Sequence, residues 1–369
     1  MKSLCKQTLF ALLSISSTDA LSSSVETANM AKLELQQSLS SIANKMTLSP
    51  EIIIPEPTDP TALLLQSTEV TKMSTNVRTR AKGNAAFIAG SLNSLKTFCT
   101  EQETARGNFP GPLPVIYCTS SFGGDASMSE ISDAGARGVM YTVNPNNEVA
   151  SPEELENDDS LKISFDSALE NGMQLIPEII LKPESTWDAD AVTKLVDSVI
   201  SQCGTEPPAL ILTVGAISDE EEEEEEAEVA LSQKTNLSLP EVPKELSKKI
   251  PILGSVRAVA GGGRMGASVD AHKQAGFKGC LLRCECLPGY RMNPDLDFVG
   301  GFWGAAIGDL KSTKSKNFNF RSTIALDRDI PLEWYNYQKD IMESGALGSP
   351  GGPGEGDPLN SDNGDYQGF

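Results

Sequence analysis

One junction recurs three times in this chain and leaves few folds open to it. Ala134-Gly135-Ala-Arg-Gly-Val, Glu170-Asn-Gly172-Met-Gln-Leu and Gln274-Ala-Gly276-Phe-Lys-Gly each end a helical pattern and lead into a short apolar run. Glycine at such a place supplies the left-handed backbone that closes a helix. The flanking segments alternate in type. Val115–Cys118, Val139–Val143, Gln174–Leu181, Ala209–Val214, Pro251–Val256 and Gly279–Arg283 are short and largely apolar. Ser160–Gly172, Asp188–Cys203 and Ser268–Ala275 lie between them with apolar residues at helical spacing, as does Ala81–Cys99 ahead of them. Strands apolar on both faces and separated by helices make a parallel sheet covered by helices. The expected class is α/β, either a (β/α) barrel or a doubly wound sheet. Six strands are evident where a closed barrel needs eight, so the expectation includes a degenerate barrel.

The chain has 51 Asp and Glu against 30 Lys and Arg, a net charge of −21. Such a balance argues against a nucleic-acid backbone as partner. The charge is concentrated: Asp219–Glu228 carries nine acidic residues, and Glu343–Phe369 carries five with no Lys or Arg. Runs of like charge repel themselves and stay solvated. An acidic insert at 218–240 and a Gly/Pro-rich tail at 344–369 are therefore expected to be disordered additions to a nearly neutral folded part.

The amino terminus has the form of a targeting sequence. Met1-Lys-Ser-Leu-Cys-Lys is basic, Thr8–Ser16 is apolar, and Ala20 offers a small residue for cleavage. Ser-rich sequence follows, Leu21-Ser-Ser-Ser and Ser38-Leu-Ser-Ser. A signal followed by a Ser-rich stretch resembles the bipartite plastid presequences of diatoms and other algae. Residues 1–45 are read as presequence, which implies a plastid location, with secretion as the alternative. A linker is expected over 46–76, the barrel over 77–312, and an extension docked on it over 313–343, where Trp334, Tyr335 and Tyr337 crowd one short helix. No segment is apolar and long enough to span a membrane in the mature chain. The cysteines, apart from Cys5, are Cys99, Cys118, Cys203, Cys280, Cys284 and Cys286. Their loose spacing suits free thiols in a reducing compartment. With a single histidine, His272, and no evident fourth ligand beside Cys280, Cys284 and Cys286, no metal site and no cofactor are expected. His272 falls inside a helix, away from strand ends, and is expected at the surface.

Two glycine patterns carry candidate function. Gly261, Gly262, Gly263, Arg264 and Gly266 follow a strand and open a helix. Glycine lets backbone N–H groups approach an anion, and a helix N-terminus adds partial positive charge. With Arg257 these residues form a candidate phosphate site. The spacing approaches a P-loop, but Ala267 stands where that motif needs Lys. Gly300, Gly304 and Gly308 line one face of a helix. That face suits either close packing on a neighbouring helix or a protein partner, and Lys311–Lys316 beyond it forms a cationic cluster open to a phosphate, an acidic partner or lipid.

The segments from Ile250 to Arg257 and from Val269 to Arg283 resemble the last two βα units of ribulose-phosphate-binding barrels, a TIM-type superfamily. Within it the chain is most similar to indole-3-glycerol-phosphate synthase. Pro114–Cys118 and Asp133–Val143 then correspond to the first two strands that carry chemistry. The resemblance implies a phosphorylated small-molecule ligand and a carbon–carbon lyase. The departures bear on the lyase. Where the family carries Glu and an acidic-catalyst Lys, this chain has Cys118 or Thr119 and Ser120 or Ser121, and neither donates a proton as an ammonium does. Lys182 lies one position away from the family's second lysine, and Val214-Gly-Ala-Ile replaces its Asn-rich strand end. Strand ends at Ser120, Asn144, Lys182, Gly215, Arg257, Arg283 and Glu285 supply no evident acid–base pair. Two readings follow: a phosphate-ester-binding barrel with the lyase activity altered or lost and Lys182 its remaining catalytic candidate, or a non-catalytic barrel acting as scaffold or assembly factor.

Overall fold

The structure is a computed structural model that describes residues 24–40, 46–56, 60–81, 83–119, 126–145, 148–155, 159–183, 185–214, 239–257, 265–286 and 296–310. Eight parallel strands close into a barrel in sequence order: β1 (Thr47–Ile54), β2 (Ala86–Gly90), β3 (Val115–Cys118), β4 (Gly138–Val143), β5 (Gln174–Leu181), β6 (Leu210–Val214), β7 (Ile252–Val256) and β8 (Gly279–Leu282). Pairing of Thr47 with Gly279 and of Pro50 with Leu282 joins the first strand to the last. The fold is a TIM-type (β/α)8 barrel.

The two strands missing from the sequence reading are β1 and β2. Residues 46–76, expected as linker, hold β1 and the helix α2 (Pro60–Asn76). The Ala81–Cys99 pattern is a strand followed by α3 (Leu92–Thr104). Ser91 makes that break, since its side chain accepts a hydrogen bond from the Ser94 N–H and caps α3. The barrel therefore starts some thirty residues before position 77.

The repeated junction behaves as expected. Gly135, Gly172 and Gly276 have φ of 98°, 72° and 95°. They close α4 (Met128–Asp133), α5 (Asp159–Glu170) and α7 (Met265–Gln274), respectively. A Cβ on Gly276 would overlap the Val242 carbonyl, so this turn requires glycine twice over. Capping by Asp188 starts α6 (Ala189–Cys203), and Ser127 and Glu130 form a reciprocal capping box on α4.

Alternation along the strands sorts side chains into two cores. Outward residues such as Ile88, Val139, Leu175, Leu212 and Leu282 pack under the helices. Inward residues, among them Phe87, Ile116, Met140, Ile176, Ile211, Leu253 and Leu281, fill the lumen. Leu35 and Leu39 belong to this inner core, although they lie outside the strands.

They come from α1 (24–39), which closes the barrel floor at the N-terminal ends of the strands. Leu35 and Leu39 are fully buried. The Gln174 side chain donates to the Ala28 carbonyl, and Thr47 Oγ1 donates to the Leu39 carbonyl. Ser38 and Asn84 exchange hydrogen bonds at 2.6 and 2.9 Å, and Arg137 reaches Glu34 at 3.4 Å. The presequence expected over 1–45 thus includes residues built into the barrel. Its Ser-rich stretch is amphipathic, with Ala28, Ala31, Leu35 and Leu39 at helical spacing, all buried.

The glycine-faced helix is α8 (Leu296–Leu310), and its small-residue face is occupied within the chain. A Cβ on Gly300 would lie 2.9 Å from Met73 Cα, and one on Gly304 would lie 3.0 Å from Arg80 Cβ. This close approach to α2 and the turn after it removes Gly300, Gly304 and Gly308 as a surface for a partner. No helix among the described residues is long and apolar enough to cross a membrane.

Candidate functional site

The C-terminal ends of the strands form the mouth of such a barrel, where barrel enzymes carry their chemistry. Just beneath it lies a group of ionised side chains that the sequence reading did not assemble. Glu51 comes from β1, Glu178 from β5 on the opposite side, and Arg283 from the residue after β8. Their residues are 3%, 1% and 3% exposed. Arg283 reaches across the lumen. Its Nη1 donates to Glu51 at 2.8 Å, its Nη2 to Glu178, and its Nε to Ser255 Oγ at 2.9 Å. Thr142 and Thr213, on the strands flanking β5, donate to the two oxygens of Glu178 at 2.7 and 2.6 Å. The Cys284 N–H donates to the second oxygen of Glu51 at 3.1 Å.

Burying charge is costly unless it is paired and hydrogen-bonded. This network meets both conditions. Burial pushes the Glu51 carboxyl up, but the Arg283 charge and the Cys284 N–H together outweigh it, so its pKa falls below the ordinary value. Glu51 is therefore ionised at neutral pH. The same surroundings act oppositely on Cys118 of β3, where burial first and the Glu51 charge second hold the thiol protonated. Burial likewise pushes the Cys99 and Cys203 thiols up to about 12. The six described cysteines are buried free thiols. No cluster among the described residues has the donors for a metal ion.

The network joins six of the eight strands or their ends, and both carboxylates use both oxygens. A carboxylate so engaged is a poor general base, because taking a proton would break one of its charge-assisted bonds. Arg283, which sequence reasoning placed at a strand end, is neutralised inside the lumen. Glu51 and Glu178 went unnoticed because each sits mid-strand in an apolar run, Glu51-Ile-Ile-Ile and Ile176-Pro-Glu-Ile-Ile. A lone acid inside such a run was the available signal.

The sequence candidates are distributed as follows. Lys182 is exposed at the end of β5, and its backbone N–H donates to the Val149 carbonyl at 2.9 Å. Arg257 directly follows β7 and is partly buried. Gly266 lies in the first turn of α7. Gly261, Gly262, Gly263 and Arg264 lie outside the described residues, as do positions 218–238 of the acidic insert, Lys311–Lys316 and the aromatic segment around Trp334. His272 is a correction: it is buried, not at the surface. A Cβ on Gly254 would overlap its ring, its Nδ1 lies 2.7 Å from the Ser268 carbonyl, and Phe277 stacks edge-on at 5.1 Å. The lack of a side chain at Gly254 makes room for the imidazole against β7. Burial lowers its pKa, and the contact with the Ser268 carbonyl offsets this only in part.

No family model matches the chain, and no curated protein matches it in sequence. Among solved structures, triosephosphate isomerase from Bartonella henselae is 13% identical with a TM-score of 0.33, covering 65% of this chain and 92% of that one. Tryptophan synthase from M. tuberculosis is 12% identical with a TM-score of 0.37, covering 72% and 93%. The YdjI aldolase from Escherichia coli K12 is 12% identical with a TM-score of 0.39, covering 84% and 94%. Similarities at this level carry no functional argument. The closed ring of eight parallel strands, with its floor helix and the ionic bridge beneath its mouth, establishes a TIM-type barrel on its own evidence.

Proposed function

We propose that this barrel binds a phosphorylated small molecule at its mouth and has lost the lyase chemistry of the indole-3-glycerol-phosphate synthase type. The observation that carries the reading is the position of Arg257 and Gly266. Arg257 leaves β7 at the mouth, and Gly266 opens α7. The intervening residues, with Gly261, Gly262, Gly263 and Arg264, therefore join a strand end to a helix N-terminus in the place where barrels of this type bind phosphate. Loss of catalysis is supported by the saturated Glu51–Arg283–Glu178 network, which leaves no free acid–base pair among the described residues of the lumen. Among the described residues, Lys182 then has no partner with which to run a proton transfer.

Thermal shift of the purified chain with ribose 5-phosphate and indole-3-glycerol phosphate tests the reading. Stabilisation of the wild type that is lost in Arg257→Gln supports it. No stabilisation by either ester at millimolar concentration refutes the ligand. Indole-3-glycerol phosphate formation that is abolished by Lys182→Ala would refute the loss of catalysis. The plastid location is part of the same proposal: a fluorescent fusion found outside plastids and outside the secretory route would overturn it.

A further inference from the structure

On the face opposite the mouth, a cavity of about 370 Å³ opens between the end of α1, the segment before β7 and the residue before β8. Its lining includes Gln36, Ser40, Ser247, Lys248, Lys249 and Lys278. Three lysines thus line one hollow, and no carboxylate among the described residues lines it. Lys248 pairs outward with Glu245 at 2.7 Å, while Lys249 and Lys278 form no ion pair among the described residues. In a chain of net charge −21 this is a local reversal of sign. Cations held around a single concavity repel one another, and an anion between them relieves that repulsion. The volume lies in the range of small-molecule sites. Hydroxyl and amide donors from Ser40 and Gln36 would complete the coordination of phosphate oxygens.

We propose that this floor cavity is a binding site for a small diphosphate, held by Lys249 and Lys278 with Lys248 at the rim. It is separate from the mouth and does not rest on the mouth's function. A diphosphate matches the site better than a single phosphate, because Lys249 and Lys278 both line the hollow without an ion pair among the described residues, and Lys248 adds a third charge at the rim. Occupancy would tie α1 to the strands on either side of it, through Gln36 and Ser40 on one wall and Lys278 on the other. The site therefore couples ligand binding to how firmly the floor helix is seated.

Isothermal titration of the full chain with inorganic pyrophosphate, with phosphate and sulfate in parallel at matched ionic strength, tests the proposal. Pyrophosphate is expected to bind more tightly than either. Lys249→Gln combined with Lys278→Gln is expected to weaken it by at least ~10-fold, since charge-assisted bonds are lost. Both side chains are at least partly exposed, so the variant should fold, and circular dichroism checks this. Lys249→Arg with Lys278→Arg should retain binding. Arg257→Gln should leave it unchanged, which separates this site from the mouth. Hydrogen exchange over 24–40 should slow on binding. No heat at millimolar pyrophosphate, equal response to sulfate, or loss of binding in Arg257→Gln with the lysine variant intact would each overturn the proposal.

Discussion

Replacing Arg283 with methionine should expose what the ionic bridge contributes. Methionine keeps much of the length and fills the lumen, but it leaves Glu51 and Glu178 facing each other without a cation. Two charge-assisted bonds from Arg283 to carboxylates are lost, at 2.8 Å to Glu51 and at the Glu178 oxygen shared with Thr213. At about 1.5–3 kcal/mol each they sum to about 3–6 kcal/mol. Breaking a buried pair by removing one partner typically costs about 3–5 kcal/mol, a large share of the roughly 5–15 kcal/mol that holds a domain folded. The pH dependence separates this mechanism from simple mispacking. In the wild type Glu51 has a lowered pKa, so its contribution is complete above the ordinary carboxyl value of 4.5 and is lost as pH falls through the lower folded value. In Arg283→Met the Arg283 charge no longer opposes burial at Glu51, so that carboxyl's pKa should rise, and acidification toward pH 5 should shrink the deficit. Urea unfolding followed by fluorescence of the buried Trp187 and Trp303 measures both quantities. Converting Glu51 and Glu178 to Gln in the same chain should recover most of the loss. A cost under about 1 kcal/mol at neutral pH, well short of the range for a broken buried pair, would refute the reasoning. So would a deficit that does not change with pH.

Other consequences are simpler to state. Leu35→Ala should cost about 2–5 kcal/mol in urea unfolding, because it empties a fully buried position in the barrel floor. A chain starting at residue 46 should be insoluble or molten, while one starting at residue 23 should unfold like the full chain. Gly300→Val should destabilise by about 1–3 kcal/mol in thermal unfolding, since a side chain there meets the Met73 backbone. As the single histidine, His272 gives one pair of ring C–H signals in a proton NMR titration, and it should titrate below 6.5. Because the folded pKa is lowered, His272 should subtract stability as pH falls below 6.5, where the unfolded chain takes up the proton first.

The barrel was legible from β3 onward, where each strand is a closed apolar run and the helices before β4, β5, β6 and β8 end on glycine. Its first two strands were not. Thr47–Ile54 contains Pro50 and Glu51, which count against a central strand, and Ala86–Gly90 merges into the helical pattern that follows it. β1 also takes its second neighbour, β8, and its seat on the floor helix from distant sequence. The ionic bridge was hidden for the same reason: Glu51, Glu178 and Arg283 are far apart in sequence and meet only when the ring closes. Local spacing correctly placed Arg257 at a strand end and Gly135, Gly172 and Gly276 in their turns. It misplaced His272, because room for the imidazole comes from Gly254 on another element.

Closure between β1 and β8 also governs how this chain can be made. Thr47 meets Lys278 across 231 residues of sequence. At about 5–20 residues per second, a ribosome needs roughly 10–50 s to deliver the last strand after the first. Throughout that interval the edge of Thr47-Leu-Ser-Pro that awaits β8 presents unpaired backbone groups, the template on which strands from other chains add. A chaperone that shields this edge in the nascent chain should raise the soluble yield more than one acting after release. Expression at a slower translation rate should lower it.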